Sequence, residues 1–234
     1  AKPVRVIIAA HDPDPRTDGK GIAALEAAGV AVETGLLEPE ARGAMAGFFT
    51  RQEKGRPHIT LKLAMSIDGR IALPSGESRW ITGEDARAHA HLERARHEVI
   101  VVGGGTVRAD APRLTVRLPG LEDRSPRRAV LSNDKAWAEG LEGEWIHLPR
   151  PEAIADLERA DHVLVEGGAG AAAAFLAADL VDRLLVYRAP ILIGAGQAAV
   201  GDIGLDRLAD AHGRWRQTDS RPLGKDRLEV YERA

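Results

Sequence analysis

The 234-residue chain is 44% hydrophobic and 29% charged with a net charge of −3, enough apolar sequence for one large domain or one domain plus a small appendage. It contains no cysteine, which excludes disulfides and thiolate-ligated metal sites, and its slight acidity leaves no basic footprint for nucleic acid. No apolar run approaches the roughly 20 residues of a membrane span and the apolar start is too short for a secretory signal, so a cytoplasmic enzyme is expected; a start at Ala1 rather than Met suits a fragment or processed chain.

In chain order, VRVIIAA (4–10) is a continuous apolar run that suits a buried parallel strand. HDPDPRTDGKG breaks it as a loop, and its Asp12 and Asp14, alternating with prolines, suit a turn better than a cation site. GIAALEAAGV predicts a short helix ending near Gly29, VAVET a strand, and EPEARGAMAGFFTRQEKG a helix with a polar exit. This strand–helix–strand–helix unit is too small to hold a core, and Gly55-Arg56-Pro57 marks a boundary between residues 1–56 and 57–234.

Beyond it, ITLKLAMS alternates like a strand, with Lys62 on the face shared by Thr60 and Ala64; a strand lysine is more often an exposed edge residue. Asp68-Gly69 predicts a tight turn into RIAL. Thr82 followed by Asp85 predicts an N-cap opening a helix through about residue 97. EVIVVGGG, RRAVLSN, HVLVEGG and DRLLVYRAPILIG read as further strands, with helices near 151–159 and 170–180, and RWRQTDSRPLGKDRLEVYER as a closing antiparallel hairpin. The whole implies an α/β mixed sheet.

Three constellations carry chemistry. In VEGGAGAAAAF, Gly168, Gly170 and Ala173 satisfy the loose pattern G-x-G-x-x-[G/A], in which backbone N–H groups and a helix dipole approach phosphate. A tight strand-to-helix turn needs glycine in any case, and a Rossmann reading expects an acid or arginine roughly 20 residues later, near Arg188. VVGGGTVRADAPRLTVR is a second glycine-rich strand end, followed by Arg108, Arg113 and Arg117, a possible phosphate cluster or a solvated basic loop. The third is Lys62 with the loop holding Ser75, Ser78 and Trp80. His89 and His91 form H-x-H, but on a helix that spacing separates them, against a shared metal.

Taken together, TLKLAMSIDGRIA, SGESRWITG, GGGTVRADAPRLTVR and VEGGAG resemble, in order and spacing, the reductase half of the riboflavin-biosynthesis bifunctional deaminase–reductase family. The resemblance covers most of residues 57–234, and residues 1–56 resemble the closing segment of the deaminase domain without its H-x-E and P-C-x-x-C zinc motifs. It therefore implies no deaminase activity and no metal: either the deaminase core was removed or the chain is a reductase-only remnant. It further implies a dihydrofolate-reductase-like fold (a twisted, mainly parallel sheet flanked by helices), a homodimer, and NADPH-dependent reduction of the ribosyl side chain of 5-amino-6-(5-phosphoribosylamino)uracil.

Carried over position by position, the resemblance assigns Ala64, Trp80, Thr106 and Asp110 to the cofactor, together with the turn Gly168, Ala169, Gly170, Ala171, Ala172, Ala173 and Ala174. The 2′-phosphate is expected to meet an arginine or a serine near 132, after RRAVLSN, where Ser132 is the cofactor residue. Ser78, Arg94, Leu114, Arg117 and Glu166 are assigned to the substrate, with Ser78, Arg94 and Arg117 as a phosphate clamp. Lys62 and Glu166 are the candidate catalytic pair, Lys62 for proton transfer or substrate orientation. Two alternatives stay open: a dihydrofolate- or pterin-type substrate on the same fold, or a non-catalytic scaffold.

Overall fold

The computed structural model describes residues 3–134, 137 and 142–234, and these divide into two compact units, Ala1–His58 and Ile59–Ala234. The first contains β1 (Arg5–Ile8), α1 (Lys20–Ala27), β2 (Ala31–Thr34), α2 (Glu38–Ala44) and α3 (Ala46–Lys54). β1 and β2 pair in parallel as a two-stranded sheet. The strand expected to be buried is not: no residue of β1 is buried, and Val4 and Ile7 are exposed. Two strands cannot cover both of their own faces. The single helix expected after β2 is broken at Met45 (φ −118°, ψ 29°) into α2 and α3. Asp12 and Asp14 do build a turn, in which the Asp14 N–H donates to Asp12 Oδ1 at 2.9 Å. Hydrogen bonds from the Arg16 side chain and backbone hold the Asp14 carboxyl down at about 2.

The second unit is organised around eight strands in the order β11-β12-β9-β3-β8-β5-β6-β7. These are β3 (His58–Ser66), β5 (Val99–Gly103), β6 (Arg127–Leu131), β7 (Ile146–Leu148), β8 (His162–Val165), β9 (Arg183–Ala189), β11 (Trp215–Leu223) and β12 (Asp226–Arg233). The β3–β9, β5–β8, β5–β6 and β6–β7 pairs are parallel, while β9–β12 and β11–β12 are antiparallel, so the tail forms the expected hairpin at one edge. This is the twisted, mainly parallel sheet that the resemblance implies. Among the described residues no helix is long and apolar enough to cross a membrane.

Side-chain parity fixes what each face of the sheet sees, because successive residues of a strand point to opposite sides. Ile59, Leu61, Leu63, Val99, Val101, Val163 and Val165 join one core cluster with Ala172 and Phe175 of α6 (Ala169–Ala177). On the opposite face, Ile100, Val102 and Leu164 pack with Val107 of α5 (Gly104–Asp110). There too, Leu185 and Tyr187 pack with Ala86 and Ala90 of α4 (Glu84–Ala95). Covered on both sides, β5 needs apolar residues at every position, and Val99 to Val102 are each 0% exposed.

Two local expectations are corrected, the Thr82 cap and the helix near 151–159. Thr82 does not cap α4: Gly83 stands at the cap position without a side-chain bond, and its N–H donates to Asp226 Oδ2 at 2.5 Å. Tertiary pairing with β12 has displaced the local motif. The Asp68-Gly69 turn forms, with Gly69 at φ +75°, but β4 (Arg70–Ala72) pairs with β10 (Gln197–Ala198) rather than folding back on β3. The helix expected near 151–159 is a 3₁₀ segment, Pro151–Asp156. Finally, the glycine turn joins β8 to α6 within this sheet, and Arg188 bonds Glu229 of β12 at 2.8 Å, which leaves the Rossmann reading without its acidic or basic partner.

Candidate active site

Lys62 sits in the middle of β3, and β3 lies between β9 and β8, so the lysine is not on a sheet edge. It shares the α4 face with Thr60 and Ala64, as alternation predicted. Glu166 directly follows β8, and parity with Leu164 puts it on the same face, one strand away. Arg94 arrives from above: Ala86, Ala90 and Arg94 recur every four residues along α4, so the stripe that buries the alanines also aims the arginine at the sheet.

The three side chains meet. Arg94 Nε donates to Glu166 Oε1 at 2.7 Å and Nη2 to Oε2 at 2.9 Å, a two-point guanidinium–carboxylate pair. Arg94 Nη1 donates to the Thr115 carbonyl at 3.1 Å. Lys62 Nζ lies 3.7 Å from Glu166 Oε2 and 5.8 Å above the centre of the Tyr187 ring. Burial by itself raises the Glu166 pKa, but the Lys62 charge and the Arg94 hydrogen bonds and charge outweigh it and hold the carboxyl at about 2. The pair is thus a fixed acceptor beside a fixed ammonium.

This cluster lies at the seam of two cavities. A smaller one, about 260 Å³, is lined by Lys62, Ala64, Ser78, Trp80, Arg87, His91, Arg94 and Arg117 among others. It is strongly cationic, with no carboxylate among the described residues that line it. Arg87 donates to the Thr82 carbonyl at 2.6 Å and stacks 4.7 Å from the Trp80 ring centre. The Arg117 backbone N–H and its Nε each lie 3.3 Å from a ring nitrogen of His91. A neutral imidazole has a single lone pair, so at most one of these is an accepted bond. Burial first, then Arg94 and Arg117, lower the pKa of His91 and keep it neutral.

The larger cavity, about 560 Å³, runs between the glycine turns and is lined by Lys62, Ser78, Thr106, Asp110, Glu166 and Gly167 through Ala171. Lys62 and Ser78 belong to both cavities. Helix α6 opens here with Gly168 in extended geometry and no side-chain cap, leaving its first N–H groups directed at the trough. A Cβ added at Gly170 would meet nothing within 4 Å, so the trough passes close to its backbone. These features fit the pyrophosphate of a dinucleotide, since free helix N–H groups and side-chain-free backbone are what close phosphate approach requires.

The residues assigned from the sequence are placed as follows. Lys62, Glu166, Arg94, Ser78 and Arg117 gather at the seam and the smaller cavity. Ala64 and Trp80, assigned to the cofactor, line that smaller cavity. Thr106, Asp110, Gly168, Ala169, Gly170 and Ala171 line the trough. Ser132 and Ala174 lie in an adjoining cavity of about 450 Å³. Ala172 and Ala173 are buried, Ala172 within the main core, because α6 turns that side to the sheet. Leu114, at φ +56°, likewise sends its side chain into the core with Ile100 and Val102. Arg94 is not a free clamp member, since its nitrogens serve Glu166 and Thr115. Arg108, Arg113 and Arg117 do not converge: Arg108 and Arg117 line different cavities and Arg113 is exposed. Sequence reasoning missed Arg87 and His91 as lining groups; their spacing with Arg94 (87, 91, 94) is the i, i+4, i+7 signature of one helix face.

Residues 57–228 match the family model described as "RibD C-terminal domain". The riboflavin biosynthesis protein RibD of Mycobacterium tuberculosis is 39% identical over 95% of this chain and 68% of its own length. A structure of Acinetobacter baumannii RibD superposes with a TM-score of 0.82 at 30% identity, covering 99% of this chain and 73% of that one. A structure from Thermotoga maritima, a diaminohydroxyphosphoribosylaminopyrimidine deaminase/5-amino-6-(5-phosphoribosylamino)uracil reductase, gives 0.82 at 25% identity, covering 98% and 71%.

Proposed function

Because the chain belongs to the RibD C-terminal domain family, we propose that it catalyses the reductase step of riboflavin biosynthesis: NADPH-dependent reduction of the ribosylamino side chain of 5-amino-6-(5-phosphoribosylamino)uracil to ribitylamino. The observation that carries this reading is the seam, where the half-buried Lys62–Glu166 pair borders a dinucleotide-sized trough and its Lys62 also lines a cationic cavity. The cavity suits a phosphorylated sugar and the trough suits the cofactor.

The chemistry is balanced as follows. Opening of the ribose ring turns the C1′–N linkage into a C=N bond; one hydride adds to C1′ and one proton to nitrogen. Bound nicotinamide supplies the hydride. The chain supplies the rest. Lys62 Nζ, which lines both cavities, delivers the proton, and Glu166 accepts hydrogen bonds from sugar hydroxyls while orienting Lys62. Arg117, Ser78 and His91 receive the phosphate, and Arg94 keeps Glu166 from rotating. Holding both reactants against one fixed pair replaces a random encounter by a positioned one.

The dimeric state and the cytoplasmic location belong to the same proposal, as does the assignment of residues 1–56 to the end of a deaminase domain. The last is supported by the cysteine-free sequence and by the small sheet whose strands bury no residue. Mixing the protein with freshly deaminated substrate and NADPH, and following loss of reduced-nicotinamide absorbance, tests the reaction. A folded protein that oxidises no cofactor under those conditions sinks it.

A further inference from the structure

The trough does not end at the glycines. Gly103, Gly105, Gly170 and Ala171 line both it and the adjoining cavity of about 450 Å³, which continues past the ends of β6 and β7. A dinucleotide whose pyrophosphate meets the start of α6 therefore has a path for its adenosine half into that second cavity. Its lining carries two charges, Arg108 and Arg150, and no acidic residue is among the described residues that line it. Arg108 comes from the last turn of α5, and Arg150 follows β7 and precedes the 3₁₀ segment. The two cations thus stand on either side of the β6 strand end.

We infer that Arg108 and Arg150 form the 2′-phosphate subsite and so determine the preference of this chain for NADPH over NADH. The inference rests on the reading of the trough as a nicotinamide dinucleotide site. Where a dinucleotide's ribose meets a strand end, an acid there accepts the 2′-hydroxyl of NADH, whereas arginine meets the 2′-phosphate of NADPH. Here β6 ends in Leu131, and Ser132 and Asn133 follow where an acid would select NADH. Ser132 is already engaged: its hydroxyl donates to the Asp134 carbonyl at 2.8 Å and accepts the Asp134 N–H at 3.2 Å. Its hydroxyl nevertheless lies beside Arg108. A Cβ added at Gly104 would lie 2.9 Å from Ser132 Oγ and 3.6 Å from Arg108 Nη1, so hydroxyl and guanidinium surround the same point. Among the described residues, Arg150 makes a long, exposed contact to Glu152, 4.0 Å from its Nε, which leaves the planar fork able to turn to a phosphate.

Isothermal titration of the whole chain with NADPH, NADH, 2′-AMP and 5′-AMP tests the subsite without any turnover. Arg108→Ala and Arg150→Ala should each weaken NADPH and 2′-AMP about tenfold, and the double variant about a hundredfold, as expected for loss of one charge-assisted phosphate contact each. NADH binding should stay within about twofold, which also shows that the variants fold. Equal losses for NADPH and NADH, or no loss for either, overturn the assignment while leaving the trough as the cofactor site. Wild-type protein that binds neither dinucleotide overturns the underlying reading of the trough as well.

Discussion

Arg94 grips the carboxylate of Glu166 through two nitrogens, Nε to Oε1 at 2.7 Å and Nη2 to Oε2 at 2.9 Å, and Lys62 closes the cluster at 3.7 Å. One acid therefore serves two bases on a face otherwise packed with Tyr187, Leu185 and the alanines of α4. Glu166 is the hinge of this arrangement, because its removal strands two cations at once.

Glu166→Gln keeps the shape of the side chain and removes its charge. Leaving Arg94 and Lys62 without a buried counter-ion should cost about 3 kcal/mol in urea unfolding. The kcat should fall on the order of 10²- to 10³-fold, since the oriented acceptor beside the reacting sugar is lost. A stability loss without a kcat loss would mean that the acid only holds the structure.

Among the groups that shape the pH dependence, Glu166 and His97 are shifted by different causes. Glu166 is held at about 2 against an ordinary value of 4.5, so the unfolded chain takes up its proton first as pH falls. Its stabilising contribution, of order 3 kcal/mol, is complete above about pH 4.5 and is lost between there and about pH 2. His97 is pushed below its ordinary 6.5 by burial; its Nδ1 faces the Glu93 carbonyl at 2.6 Å and Nε2 faces Thr60 Oγ1 at 3.0 Å. Here too the unfolded chain binds the proton first, so stability begins to fall below about pH 6.5. Urea midpoints measured from pH 8 to 3 should show both windows. Glu166→Gln should flatten the lower one and His97→Gln the upper one; an unchanged lower limb in Glu166→Gln contradicts the assignment.

Arg94 and Arg117 should separate kinetically. Arg94 is committed to Glu166 and Thr115, whereas Arg117 stands in the cationic cavity beside His91. Arg117→Ala should raise KM for the phosphorylated substrate about 10- to 100-fold with kcat little changed, the mark of lost uniform binding. Arg94→Ala should lower kcat and stability together. A phosphate-free pterin substrate should be indifferent to Arg117→Ala, so equal losses with both substrates would count against a phosphate at this position.

What the sequence revealed depended on how local the cause was. Alternation around Lys62 and the apolar run EVIVV placed β3 and β5 and their faces, because parity and two-sided burial leave a direct imprint on residue order. Many residues of the four family-like blocks line the two cavities, whereas Leu114, Ala172 and Ala173 turn into the core. The pairing of Arg94 with Glu166 stayed hidden, since 72 residues separate them and only the packing of α4 against the sheet makes them meet. The Thr82 cap was mistaken for the same reason: Asp226, 143 residues further on, takes the Gly83 N–H. His91 was weighed only as a metal ligand beside His89, and the register with Arg87 and Arg94 that turns it toward the cavity went unread.

The glycines at the start of α6 give the last prediction, because neighbouring positions should respond in opposite ways. A Cβ at Gly167 would lie 2.4 Å from the Cβ of Ala171, a contact with no flexible side chain to yield, so Gly167→Ala must displace the first turn of α6. It should lower the melting temperature and weaken dinucleotide binding together. A Cβ at Gly170 meets nothing within 4 Å, and the residue is already helical. Gly170→Ala should therefore raise stability by about 0.5–1 kcal/mol through reduced backbone entropy in the unfolded chain. The bulkier Gly170→Val should keep the fold but reach into the trough, weakening NADPH binding at least tenfold while 5-amino-6-(5-phosphoribosylamino)uracil still binds. Calorimetric titration of both ligands separates these effects, and undiminished NADPH affinity in Gly170→Val would place the pyrophosphate away from the start of α6.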